Sequence, residues 1–162
     1  MAFKGPKTKQ ASYATPAELY RELPRRLASV PELWAHQAET LKNYTSCADE
    51  PDIAIELPTG TGKTLVGLLI AEWTLRKRHS RVIYACPTQQ LARQVADAAY
   101  NEGIGTALLV GRHDQWKPQA QCRYEAAETI AITTYSSIFN SNPHLLDSDL
   151  ILFDDAHAGE QY

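Results

Sequence analysis

The chain has 162 residues, is 44% hydrophobic, and carries a formal net charge of −3 with a pI near 5.9. That length suffices for one domain with its own core, and the charge excludes a domain that grips nucleic acid by bulk positive potential, leaving room only for a local strip of backbone contacts. Cys47, Cys86 and Cys122 are widely spaced and form no C-x-x-C pair, so neither a disulfide framework nor a zinc ribbon is expected. No run approaches the ~18 apolar residues of a membrane span, and no signal-peptide stretch opens the chain. The expectation is a soluble, intracellular protein, in cytoplasm or nucleus, with no membrane partner.

Residues 1–14 carry Lys4, Lys7 and Lys9 with Gly5 and Pro6 and no apolar period, the pattern of a flexible basic arm. Residues 15–50 read as a helical segment. Thr15-Pro16-Ala17-Glu18 has a capping-box pattern with proline at the first helical position, so a short helix is predicted through Leu19 and Leu23 to Pro24. Ser29-Val30-Pro31-Glu32 repeats the device, and the second helix is predicted to carry Leu33, Trp34, Gln37, Ala38 and Leu41 on one buried face.

From residue 51 to 162 strands and helices alternate, the signature of an α/β fold. Strands are predicted at Ile53–Leu57, Arg81–Cys86, Thr106–Val110, Thr129–Thr133 and Leu150–Phe153. Helices are predicted from Lys63 to Arg78, from Thr88 to Ala99, across 114–128 and around Ser136–Phe139. Near-continuous apolar strands are buried on both faces, so the sheet is expected to be mainly parallel, with at least five strands and helices on each side.

Pro58-Thr59-Gly60-Thr61-Gly62-Lys63-Thr64, between the first strand and its helix, has the pattern of a phosphate-binding loop. Glycines let successive N–H groups turn inward, Lys63 adds a mobile positive charge, and the Thr64 hydroxyl suits Mg²⁺. The strict motif begins with Gly; here Leu57 stands in that place, so Gly60 and Gly62 must supply the permissive backbone. A nucleoside-triphosphate site also needs an acid at the end of a neighbouring strand. Asp154 closes the last apolar run and is placed to hold a metal shell, while Asp155 beside it is a candidate base for the attacking water.

With these stretches in order, the chain resembles the N-terminal RecA-like ATPase domain of a superfamily 2 helicase or translocase of the DEAD/DEAH-box type. Pro58–Thr64 is similar to motif I, and Asp154-Asp155-Ala156-His157 to motif II. Pro87-Thr88-Gln89-Gln90-Leu91-Ala92-Arg93-Gln94 is similar to motif Ia, and Ile132-Thr133-Thr134-Tyr135 to the motif Ib region. The resemblance implies ATP and Mg²⁺ as cofactors. Gly60, Thr61, Gly62, Lys63 and Thr64 would hold the nucleotide, Gln37 the adenine, and Thr64 with Asp154 the metal; Lys63, Asp154 and Asp155 would be catalytic. Pro87, Thr88, Gln89, Thr133 and Thr134 would follow a DNA or RNA backbone.

Other readings stand beside these: a plain helix cap for Thr88, a strand end for Thr133, a surface glutamine for Gln37. Asp155 departs from the family's usual Glu, and a carboxylate one methylene short can cost roughly 10²-fold in rate. That leaves open a nucleotide-gated binding or remodelling module without strand separation. Motif III and a second RecA-like domain do not follow before Tyr162, so residues 51–162 are expected to be the first half of a two-domain ATPase that is nearly inactive without its partner.

Overall fold

In the computed structural model, residues 13–24, 32–145 and 147–161 are described. The basic arm and the predicted cap at Ser29–Pro31 lie almost wholly outside them. Helix α1 (Pro16–Glu22) starts where Thr15 caps it, its hydroxyl accepting the Glu18 N–H at 3.2 Å, while the Glu18 carboxylate reaches back to the Ala14 N–H at 3.0 Å. Helix α2 spans Ala35–Cys47, so Leu33 and Trp34 precede the helix they were predicted to join. The later start has a local cause: Gln37 at the third helical position accepts the Trp34 N–H at 3.0 Å through Oε1.

Helix α3 (Lys63–Arg78) is the long central element, and Val66, Leu68, Leu69, Ile70, Ala71, Trp73 and Leu75 are all buried. Its basic end is tied down. Arg76 pairs with Glu72 at 2.7 Å, Lys77 lies 4.2 Å over the Trp73 ring, and Arg78 pairs with Asp49. Then come β1 (Val82–Cys86), α4 (Gln89–Glu102), β2 (Thr106–Leu108), α5 (Pro118–Glu125), β3 (Ile130–Thr134), α6 (Tyr135–Ile138) and β4 (Leu150–Phe153). The region 114–128, predicted as one helix, divides into a 3₁₀ turn at His113–Gln115 and α5, which begins at Pro118, a residue suited to a first turn.

Among the described residues the sheet has four strands in the order β2-β3-β1-β4, every pair parallel. The predicted strand at Ile53–Leu57 does not form, so the expected fifth strand is missing. The segment runs without a pairing partner, with Ile53 and Ile55 36% and 41% exposed. Alternating apolar residues favour an extended chain, yet a strand exists only where a neighbour takes up its N–H and C=O groups, and β4 has a partner on one side only.

Alternation along the strands divides the core. Val82, Tyr84, Cys86, Ile130 and Ile132 face α3 and α4, with α1 and α2 packed over α3; Ile83, Ala85 and Ala131 face the opposite cluster of Leu109, Trp116, Tyr124, Tyr135 and Leu145. Helices therefore cover both faces, as expected for a parallel sheet. Leu69 is fully buried in the first cluster and Leu91 is 38% exposed on α4. Leu69→Ala is expected to destabilise the fold by about 2–5 kcal/mol, and Leu91→Ala by no more than about 0.5 kcal/mol, in denaturant titrations.

Candidate functional site

The loop ahead of α3 is held from outside. Gly60 and Gly62 adopt φ of 80° and 79°, the left-handed region in which a side chain is strained. Between them, Thr61 donates its hydroxyl to the Pro58 carbonyl at 2.6 Å, and the Thr61 carbonyl accepts from Gln37 Nε2 at 2.9 Å and contacts His36 Nε2 at 3.0 Å. Gln37 is only 4% exposed. Its amide thus bridges Trp34 to the loop backbone, and in this structure it is a brace behind the glycines and not an open surface group. A Cβ on Gly62 would collide with that amide. No side chain caps α3, whose first residue is the exposed Lys63, so the first N–H groups of a 16-residue helix are left for an external acceptor. Thr64, in the same first turn, is half-buried.

The acidic pair stands at the end of β4. The Asp154 N–H continues the ladder onto the Ala85 carbonyl at 2.9 Å. The Asp154 carboxyl is raised above its ordinary range, chiefly by burial and then by Asp155, while Lys63 and a hydrogen bond from Tyr84 pull it the other way. The loop lysine and the strand-end acid thus act on each other electrostatically. Burial and then Asp154 also push the Tyr84 phenol up, and the Cys86 thiol is pushed up to about 12 by burial first and Asp154 second. Gly67 makes room for this arrangement, since a Cβ there would lie 2.8 Å from the Tyr84 ring.

Asp155 is exposed and has φ of 58°. Aspartate is among the few non-glycine residues enriched in that conformation. The turn is fixed by Tyr135 of α6, wholly buried, whose hydroxyl lies 2.6 Å from the Asp154 carbonyl and 3.1 Å from that of Asp155. Neither Tyr84 nor Tyr135 stands out as a site residue in the sequence. The available signal was a phenol within an otherwise apolar strand and another at a strand end, because a buried Tyr hydroxyl needs a partner.

The strip expected to follow a nucleic-acid backbone divides. Thr88 and Gln89 are exposed and Pro87 is half-buried, with the Thr88 hydroxyl accepting the Leu91 N–H at 3.2 Å as the cap of α4. Thr133 and Thr134 do not present their side chains to that edge. Thr133 is wholly buried with its hydroxyl on the Leu109 carbonyl at 2.6 Å, and Thr134, 4% exposed, bonds to Ser136 at 3.0 Å and Ser137 at 3.2 Å. A hydroxyl at a strand end serves a neighbouring carbonyl as readily as a ligand; here the neighbour has it.

Among the described residues no cluster of three or more His, Cys, Asp or Glu side chains is shaped to hold a metal unaided. The donors present, the Thr64 hydroxyl and the Asp154 carboxylate, nonetheless suit Mg²⁺, which keeps several waters and takes one or two protein oxygens beside substrate phosphates. The strain between Asp154 and Asp155 is of the sign that a divalent cation relieves.

The sequence profile of the DEAD/DEAH box helicase family matches residues 34–161. A protein of Sulfolobus islandicus filamentous virus (isolate Iceland/Hveragerdi) that is named as a helicase is 26% identical over 134 residues, covering 78% of this chain and 23% of its own length. The ATP-dependent RNA helicase rok1 of Aspergillus niger is 28% identical over 93 residues, covering 52% of this chain and 13% of its own. Among solved structures, the UvsW helicase of bacteriophage T4 superposes with a TM-score of 0.62 at 16% identity, over 78% of this chain and 44% of that one, which shows a shared fold. The chain thus spans less than half the length of each of these relatives.

Two outcomes test the site. Gly62→Ala adds left-handed strain of about 1–2 kcal/mol and displaces the Gln37 amide; in a double-mutant cycle its destabilisation is expected to be less than additive with that of Gln37→Ala. Because Asp154 is raised in the folded state, the native protein binds its proton more tightly than the unfolded chain. Stability should therefore fall as pH rises through a window that opens at the ordinary aspartate pKa of about 3.9 and closes at the raised value. Glu72 is likewise raised, chiefly by burial, so thermal melts across that window are expected to show the decline in the parent and a shallower one in Asp154→Asn.

Proposed function

Since the chain belongs to the DEAD/DEAH box helicase family, we propose that it is the N-terminal ATP-binding half of an ATP-dependent nucleic-acid helicase or translocase. What supports this reading is the family match over residues 34–161 together with a left-handed glycine loop at the head of α3 and an acid at the end of β4, whose carboxyl feels the Lys63 charge. The open N–H groups at the head of α3 and the Lys63 ammonium receive the β- and γ-phosphates, where helix end and lysine both favour negative charge. Thr64 and Asp154 would hold Mg²⁺, which would supply neutralisation of the phosphate charge. Asp155 orients and deprotonates the attacking water, its carboxylate directed by a left-handed turn that Tyr135 fixes from below.

On this reading Gln37 acts first on the loop, with its bond to the Thr61 carbonyl setting the position of Gly60 and Gly62. Pro87, Thr88 and Gln89 provide the backbone contacts, joined by the α6 end of the sheet edge; Thr133 and Thr134 support that end from within. Polyphosphate hydrolysis in such sites also draws on an arginine supplied from a second domain, worth about 10³ to 10⁵ in rate. We therefore assign the completing contact to a second RecA-like domain, and expect steady-state ATPase assays on residues 1–162 alone to give little turnover.

A second reading, a nucleotide-gated binding module, draws on Asp155, exposed and one methylene shorter than Glu. Strand displacement by the intact protein, with ATP and a non-hydrolysable analogue compared, separates the two: displacement only with ATP supports the motor, and equal clamping with either supports the module.

Asp155→Asn is expected to abolish ATP hydrolysis by the intact protein while leaving nucleotide affinity within about threefold, since Asn keeps the left-handed turn and removes only the base. Unchanged turnover would remove Asp155 from its role. Tyr135→Phe keeps the ring in the core and removes the hydroxyl from both carbonyls. It is expected to lower kcat about 10-fold or more with KM for ATP nearly unchanged, measured by steady-state kinetics, because the lost bonds orient a catalytic turn without touching nucleotide.

A further inference from the structure

Beside α6, on the face of the sheet away from α3, a cavity of about 480 Å³ opens that the nucleotide site does not use. Its volume lies within the roughly 300–1,000 Å³ typical of small-ligand sites. One wall is aromatic. His113 and His144 stack at 3.8 Å between centroids and 13° between planes, and the Trp116 ring closes edge-on against His113 at 5.0 Å. The histidines are exposed, and Trp116 is 8% exposed with its indole N–H lacking a partner among the described residues.

The polar lining discriminates between ligands. Arg112 brings the one permanent positive charge and is already paired with Asp114 at 2.8 Å. The Asp114 charge offsets part of the pull that Arg112 would exert on an anion. Asn140 is engaged internally, donating to the Ser136 and Ser137 carbonyls at 3.1 and 3.0 Å and accepting the Asn142 N–H at 2.7 Å. This holds the exposed Asn142 side chain at the rim, where an amide presents a donor and an acceptor side by side. A stacked imidazole wall with an amide at its edge suits a neutral, planar heterocycle bearing hydrogen-bonding groups. Single-stranded nucleic acid offers such a group whenever a base is splayed from the strand.

We propose that this cavity receives one unpaired nucleobase of a bound single strand, stacked on His144 with its edge against Asn142, and so gives the protein a base-dependent contact beside its backbone contacts. The inference rests on the nucleic-acid reading above. The test uses the intact protein and fluorescence anisotropy with a single strand of about 12 nucleotides, within the usual site size, and a matched strand made abasic throughout. The base-bearing strand is expected to bind about 5- to 100-fold more tightly. His144→Ala, an exposed change checked for an unaltered melting temperature, should bring that strand to the abasic affinity and leave the abasic affinity unchanged; His144→Phe should restore the difference. Equal binding of the two strands by the parent protein, or an equal loss for both in His144→Ala, overturns the base pocket alone. Failure of both strands to bind overturns the nucleic-acid reading and the pocket with it.

Discussion

The glycine loop of this chain depends on one amide. A turn with two left-handed glycines has little reason of its own to stay open, since glycine samples more backbone states than any other residue and loses the most entropy when fixed. Gln37, buried in the first turn of α2, takes the Trp34 N–H with one end and gives a hydrogen to the Thr61 carbonyl with the other. The carbonyl between the glycines is thereby taken up by the brace, while the Thr61 N–H and hydroxyl both turn back onto the Pro58 carbonyl. Leu41 and Tyr44, further along α2, are buried in the main core, so the amide stands on a packed helix. Fixing a loop from behind leaves its front face free for chemistry.

The sheet imposes a second constraint. Its described strands are all parallel, so their C-terminal ends share one edge, where ligands bind in open α/β folds. Register makes this specific: Cys86 pairs with Thr134, and Ala85 with Phe153. One step on, Pro87, Tyr135 and Asp154 emerge from adjacent strands. The helix carrying the exposed Thr88, the short helix bearing Tyr135 and the acidic turn are therefore neighbours by necessity, and contact between the proposed nucleic-acid strip and the acids needs no long path. Tyr135 spans that distance with a single side chain.

Features decided by local chemistry were legible in the sequence. Thr15 and Thr88 cap the helices they precede, and Gly103, in left-handed conformation, ends α4 with its N–H on the Ala99 and Tyr100 carbonyls. The four strands that form lie within a residue or two of their predicted positions. Features decided by a distant partner were not legible. Ile53–Leu57 has the composition of a strand, but composition cannot supply the neighbour that would pair with it. Thr133 and Thr134 have hydroxyls whose direction depends on what Leu109, just past β2, and α6 place beside them. Gln37 fell on the predicted buried face; that its amide would reach Thr61 depends on a packing angle that periodicity does not contain. The stacked histidines are separated by 31 positions, and no spacing rule would join them.

The Tyr135 hydroxyl has one proton and two carbonyls within reach, at 2.6 and 3.1 Å. A shared proton of this kind is a three-centre bond, and its two limbs cannot both be at full strength. The hydroxyl ties two successive carbonyls of the acidic turn, so both acids refer to one anchor. Each limb is worth only about 1 kcal/mol net. Because both hang on a ring wholly buried in the core, the geometry of the two carboxylates is inherited from the packing of a single phenol.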